Sequence, residues 1–337
     1  MRRVLHILAN CGSSKVAPPH ARLRDISSHL PFNVRMDRWV RALTNTKGYG
    51  ATEYNAEDLY DKGGYWPRIL RVVSKARRQG FEPRLWVASA GYGLLKGTDR
   101  VVSYGATFAK NAPDTIFRSK DKPKIAQRWW RELSAWNHMS GYKGIHTPRI
   151  ADIPRFEKDA FLLVVMTPPY IHAVERDLLR TAKKVKYDGN RFAIIGTKGM
   201  YQKLSRKSLK LLKPHLVPIH AKMQHAVGGG LIALHAYVAY ALIREAHPNT
   251  LSASTLRKHA KKLLKEGEQI HKDTFVGDNI VRKFLGSNLP GTKTALYNQF
   301  KKAGYRCFVE RFNKLYYKTL EEKGMTYHGD CSPPPKQ

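Results

Sequence analysis

Four short runs of branched and other apolar residues punctuate the first part of the chain. They are RVLHILA at Arg3 to Ala9, PRLWVASA at Pro83 to Ala90, AFLLVVMT at Ala160 to Thr167 and RFAIIGT at Arg191 to Thr197. Near-continuous apolar runs of this length read as strands covered on both faces. The segments between them repeat apolar residues at helical spacing. YWPRILRVVSKARRQG carries Ile69, Leu70, Val72 and Val73 among basic residues and stops at Gly80. PYIHAVERDLLRTAKKV follows the third run in the same way, and YQKLSRKSLKLL the fourth. Strand alternating with helix predicts an α/β fold: a parallel four-stranded sheet flanked by helices, joined by right-handed crossovers. Ligands in such sheets bind beyond the carboxyl ends of the strands. The four runs are followed there by NCGSSK, SAGYGLL, TPPY and GTKG, all small, polar or turn-forming.

Other patterns fill in the remainder. RWWRELSAW sets Trp129, Trp130 and Trp136 at positions where a helix would bury a tryptophan face, and the region from Pro113 to Pro154 is expected to wall one side of the crevice. The longest apolar run, Ala226 to Ile243, opens with three glycines. Its helical part falls short of the ~20 residues that a bilayer requires, so it reads as a buried helix. EAHPNTLSAS reads as a linker, and beyond it two amphipathic helices, about Lys293 to Ala303 and Cys307 to Glu322, flank a KAGYR turn. That outline resembles a helix-turn-helix. The expected organisation is an α/β domain over 1–247, a basic helical region over 248–325 that binds DNA, and a disordered tail over 326–337.

Charge narrows the partners. Among 337 residues, 60 Lys+Arg against 26 Asp+Glu leave a net +34, a field that attracts polyanions. From Leu251 onward there are 17 Lys+Arg and 8 Asp+Glu, so most of the excess belongs to the preceding α/β part. Nucleic acid is the expected partner of the whole body, and no amphipathic surface helix or lipidation motif points to a membrane. In the helix pair Lys293, Lys301, Lys302, Arg306, Arg311 and Lys314 are the candidates to meet phosphates. Cys11, Cys307 and Cys331 are odd in number and widely spaced, which suits a reducing, cytoplasmic setting.

Candidate chemistry is sparse. Phosphate-loop, dinucleotide, zinc-protease and deaminase signatures are missing, and His220 and His225 are poorly spaced for one helix face, so neither metal nor cofactor is expected. Cys11 is read as packing at a strand end more than as a nucleophile, while Asn10, Ser13, Ser14 and Lys15 suit a phosphate or the polar edge of a base. In YNAEDLYDKGG the acids Glu57, Asp58 and Asp61 cluster in a chain poor in acids. They fit either a solvated helix start or a carboxylate set in a basic crevice.

CGSSK after the first strand, AEDLY, SAGYGLL after the second strand, and YGATF at Tyr104 to Phe108 together resemble a domain of phage and mobile-element proteins. That domain is similar to one in archaeosine synthase and to the wider uracil-DNA glycosylase-like superfamily. The chain departs from relatives at Gly91 and Tyr92, where a lysine or histidine is usual before the glycine, and it lacks GQDPYH and HPS, so uracil is not the expected base. The resemblance implies cleavage of an N-glycosidic bond after base flipping, leaving an abasic site. Size and charge resemble bacterial anti-phage glycosylases that excise glucosylated hydroxymethylcytosine. Asp58, then Glu57, is the expected catalytic carboxylate. Asn10, Cys11, Ser13, Ser14 and Lys15 would line the pocket, with Ser89, Tyr92, Tyr104, Thr167, Tyr170 and Lys198 around it. The substrate is expected to be double-stranded, modified DNA, met by a monomer. A base-exchange enzyme of the transglycosylase type and a non-catalytic DNA-binding protein remain open alternatives.

Overall fold

A computed structural model describes residues 2–12, 14–45, 51–60, 63–118, 124–140, 149–155, 157, 159–186, 188, 190–202 and 204–325. Ser13, Asp61 and the expected tail over 326–337 lie outside them. The chain divides into two compact units, 1–264 and 265–337.

The first unit runs β1 (Val4–Asn10), β2 (Ala21–Arg22), α1 (Phe32–Thr44), β3 (Glu53–Asn55), α2 (Ala56–Leu59), α3 (Trp66–Arg78), β4 (Glu82–Ser89), β5 (Gly93–Lys96), β6 (Arg100–Val102), β7 (Tyr104–Gly105) and α4 (Lys124–Ser140). It continues with β8 (Phe161–Val165), α5 (Pro168–Ala173), α6 (Glu175–Lys184), β9 (Phe192–Thr197), α7 (Lys198–Gln202), α8 (Arg206–Leu212), β10 (Leu216–Ile219), α9 (Gln224–Val227) and α10 (Leu234–Arg244). Helix α11 (Ala253–Thr274) crosses the division.

The four apolar runs form β1, β4, β8 and β9, each buried along most of its length. They lie side by side and parallel, as an α/β fold requires. The sheet itself is larger than the expected one: six strands in the order β10-β9-β8-β1-β4-β5, and mixed, because β5 is antiparallel to β4. Two short strands escaped the pattern. β10 is interrupted by Pro218, which an edge strand tolerates, and β5 is the GLLK that read as part of a loop.

Counted along the chain, the parallel strands follow the order 2-1-3-4-5. The direction of travel reverses between β1 and β8, and that reversal opens a crevice at their carboxyl ends. Register sets the four ends at one height, with Asn10 beside Ala88, Ala9 beside Val165, and Val165 beside Ile195.

Helices cover both faces of this sheet. Helix α10 is the buried apolar run, and it packs along α3 and over β8 and β9. No single helix among the described residues is long and apolar enough to cross a membrane. The helical patterns after β8 and β9 each break in two, at Val174 and before the Ser205 cap. The tryptophan face of α4 is buried, with Trp129 donating to the Ala90 carbonyl at 2.9 Å and Trp130 to Asp177 at 2.8 Å. On β1, His6 Nδ1 accepts from Trp86 Nε1, which directs its Nε2 to Glu157 at 3.0 Å.

The first turns of α11 belong to the first unit because Ala253, Leu256 and Ala260 are buried in its core. The second unit holds the rest of α11, α12 (Asp278–Asn288), α13 (Lys293–Lys302) and α14 (Val309–Glu322) around Val281, Leu285, Leu296, Phe300, Phe312 and Leu315. The expected helix pair is α13 and α14. Gly304 between them takes a left-handed φ of 87°, which a residue with a side chain resists. Helix α12 had no counterpart in the sequence reading.

Candidate functional site

At the strand-order reversal, Asn10 and Tyr65 stitch the crevice together. Asn10 Oδ1 accepts from the Thr167 N–H at 2.8 Å, and Tyr65 donates to the Val165 carbonyl at 2.7 Å while accepting from the Asn10 N–H at 3.3 Å. Cys11 is buried, its N–H bonded to Ala88 and its Sγ 3.0 Å from the Tyr170 hydroxyl. It packs at the strand end and does not line a pocket, which corrects its place among the expected pocket residues.

Behind Cys11 lies a chain of buried hydroxyls. Ser89 Oγ accepts from the N–H groups of Gly91 and Tyr92 at 3.1 and 3.0 Å, which uses both of its lone pairs. Its own proton therefore goes to Tyr104 at 2.5 Å, and Tyr104 in turn donates to Tyr60 at 2.9 Å. Burial pushes the phenols of Tyr60, Tyr104 and Tyr170 upward, so all three are neutral at physiological pH. Tyr92 fills the space beside them edge-on to Tyr104, its hydroxyl reaching the Val102 carbonyl at 3.4 Å. Gly91 and Tyr92 thus serve packing in this turn. This packing also corrects an expectation: Ser89, Tyr92 and Tyr104 are fully buried and Tyr170 nearly so, so these side chains are core and do not surround a base.

Lys15 caps this cluster. Its amine lies 4.5 Å from the centre of the Tyr104 ring and donates to the Gly12 carbonyl at 3.3 Å. Burial lowers its pKa, and the nearby Cys11 and then Asp114 oppose that shift. A cleft of about 420 Å³ opens beside it, walled by Lys15 to Pro19 on one side and by Tyr104 to Thr107 and Ala112 to Asp114 on the other. The walls are tied: His20 donates from its N–H to Ser103 at 2.7 Å, Ser103 Oγ to Ala17 at 2.8 Å, and β2 pairs with β7.

Asp114 is the carboxylate of this cleft, and the sequence reading missed it. Arg24 grips both its oxygens, each at 3.0 Å. A methyl group on Gly105 would stand 2.6 Å from Asp114 Oδ2, so the glycine of YGATF is what lets the acid approach. The signal available in the sequence was slight: one acid in NAPDTIF, shortly after the motif.

The expected acids lie elsewhere. Helix α2 is pinned to the chain leaving β5, with Ala56 N–H bonded to Asp99 and Glu57 N–H to Gly97. Because β5 runs back along β4, Gly97 meets Leu85, four residues and about 13 Å short of the carboxyl end of β4. The Glu57 carboxylate rests against Gly97, its pKa raised by burial and then by Asp58. Asp58 is exposed and held by Asn55 at 2.7 Å. Of the other expected residues, Ser14 is exposed beside Gly63, Thr167 precedes α5 without a side-chain capping bond, and Lys198 is exposed at the start of α7.

In the second unit Lys302, Arg306 and Lys314 are exposed, Lys301 lies over the Tyr297 ring and Lys293 bonds Tyr317. Arg311 is committed to Asp278 at 2.5 Å, which takes it from the set free to meet phosphate. Among the described residues, no group of three or more His, Cys, Asp and Glu is placed to hold a metal. Compared with protein-family models, curated proteins and solved structures, the chain matches none.

Proposed function

We propose that this chain is a DNA glycosylase that takes an extruded, modified base into the cleft beside Lys15 and hydrolyses its N-glycosidic bond. The observation that carries the reading is the pairing of a half-buried amine and an Arg24-bound carboxylate in one cleft between the loop after β1 and the segment from β7 to Asp114, on a body of net +34. Breaking the bond between C1′ and the base builds positive charge on the sugar. The Asp114 carboxylate opposes that charge across a short distance, in a site partly closed to water. Lys15, as an ammonium, holds the flanking phosphate or the leaving base. The volume, about 420 Å³, falls within the range of small-ligand sites, which suits a base carrying a further group such as a sugar.

Extrusion needs a wedge and a cationic grip on the backbone. Leu231 and Ile232 are exposed immediately before α10, behind Gly228 to Gly230, and α10 begins at the carboxyl edge where His235 stacks on Tyr65. An α/β sheet of this kind is compatible with the uracil-DNA glycosylase-like fold that the sequence motifs resemble.

Mass spectrometry of bases released from phage DNA carrying modified cytosines tests the reading. Wild type is expected to release one modified base, and Asp114→Asn to lower the rate by ~100-fold or more with DNA binding retained. Asp58→Asn is expected to act like wild type. Equal activity in Asp114→Asn, or no base released by wild type, would overturn it.

A further inference from the structure

Lys15 differs from the many surface cations of this chain in what surrounds its amine. It faces the rings of Tyr104 at 4.5 Å and Tyr60 at 5.8 Å, and among the described residues it forms no ion pair. The cleft's carboxylate, Asp114, is bound by Arg24 instead. An amine short of water loses its proton more easily than one at the surface, and burial lowers the pKa of Lys15 although the ring faces, Cys11 and Asp114 favour its charged form. The neutral form carries the lone pair that makes a lysine a nucleophile toward a carbonyl. Positioning follows from the same contacts, because the bond to the Gly12 carbonyl and the Tyr104 face fix the end of a flexible side chain at the wall of the cleft.

We propose that Lys15 Nζ captures the aldehyde of an abasic sugar in this cleft and cleaves the DNA strand on its 3′ side, making the chain a lyase as well as a hydrolase. The inference rests on the glycosylase reading for the source of that sugar. The neutral amine adds to C1′ of the ring-opened sugar, and loss of one water with uptake of one proton from solvent leaves a protonated imine. A proton then leaves C2′ for the Asp114 carboxylate across the cleft. The electron pair it leaves forms the C2′–C3′ double bond as the C3′–O bond breaks, its electrons departing with the 3′ phosphate. Water hydrolyses the unsaturated imine, returning the amine and an unsaturated aldehyde at the end of the cut strand. No oxidant, metal or second substrate enters.

The test uses the full-length chain and a duplex in which a single abasic site has been made in advance. Sodium cyanoborohydride reduces an imine to a stable amine. Wild type is expected to become covalently joined to the duplex, with peptide mapping placing the adduct on Lys15, and without reductant to cut the strand 3′ to the abasic site. Lys15→Arg keeps a cation in the cleft and is expected to form no adduct and no cut even at duplex concentrations that saturate the variant. Mapping is essential because a chain with 60 Lys+Arg can trap abasic DNA through its surface. Adducts scattered over other lysines, an adduct undiminished in Lys15→Arg, or none with wild type would each overturn the proposal. Since the abasic site is supplied, those outcomes leave base release untouched. Strand cutting here with no base released from any modified DNA would instead overturn the glycosylase reading alone.

Discussion

His235 sits on the first turn of α10, stacked on Tyr65 at 5.0 Å, with its buried Nε2 lacking a hydrogen-bond partner. Burial lowers its pKa to about 4. The folded chain therefore keeps the ring neutral where the unfolded chain, titrating near 6.5, would protonate it. Its contribution is complete above about pH 6.5 and is lost as pH falls toward 4, by up to ~3 kcal/mol once both states are protonated. His6 and His215, whose pKa values burial also lowers, act with the same sign, whereas Glu57 and Asp99, raised by burial, act with the opposite one. The urea midpoint is expected to fall between pH 7 and pH 4.5, and less steeply in His235→Phe. An equal fall in that variant would refute the assignment. At this scale the sequence showed which residue types were present and left their partners open. Asn10, Cys11 and Lys15 were legible because a strand must end somewhere. Asp114 was not, because its place depends on Arg24 and on the room left by Gly105, and neither is a property of its own segment.

Among the elements, the turn from β4 into β5 decides most. A methyl on Gly91 would lie 2.4 Å from Tyr104 Cε2, and that ring is locked by Ser89 and Tyr60. Gly91→Ala is expected to destabilise by ~2 kcal/mol and to displace the ring beneath Lys15. Gly64→Ala, where nothing stands within 4 Å, is expected to be near neutral in the same urea titration. Equal midpoints for the two variants would contradict this. The long strands were legible from their apolar runs alone. Strand β5 was not, because four residues carry too little pattern to separate a strand from a glycine-rich loop. That omission also misplaced the acids: only once β5 turns back is α2 carried to the amino half of β4, with Glu57 and Asp58 on it.

Across the whole molecule, a charge of +34 sets how the proposed DNA binding responds to salt. Each phosphate neutralised contributes a slope of about −0.9 in log K against log salt on duplex DNA. In the second unit, Lys302→Ala and Arg306→Ala are each expected to reduce that slope by about 1. Arg311→Ala is expected to change it less and to lower stability, because Arg311 already serves Asp278. A full-size slope change for Arg311 with unaltered stability would show the ion pair to be unimportant in solution. The sequence by itself determined the α/β class, the positions of the four long strands, the terminal helix pair and the net charge of +34. All of these follow from local periodicity or from summed charge, which need no knowledge of what lies far along the chain. Only the tertiary structure decided that the sheet has six mixed strands, that the first unit extends into α11, that Tyr92 and Tyr104 are core, and that Asp114 shares a cleft with Lys15. Each of those is set by a contact between segments distant in sequence, whose packing and hydrogen bonds exist only once the strands have found their order.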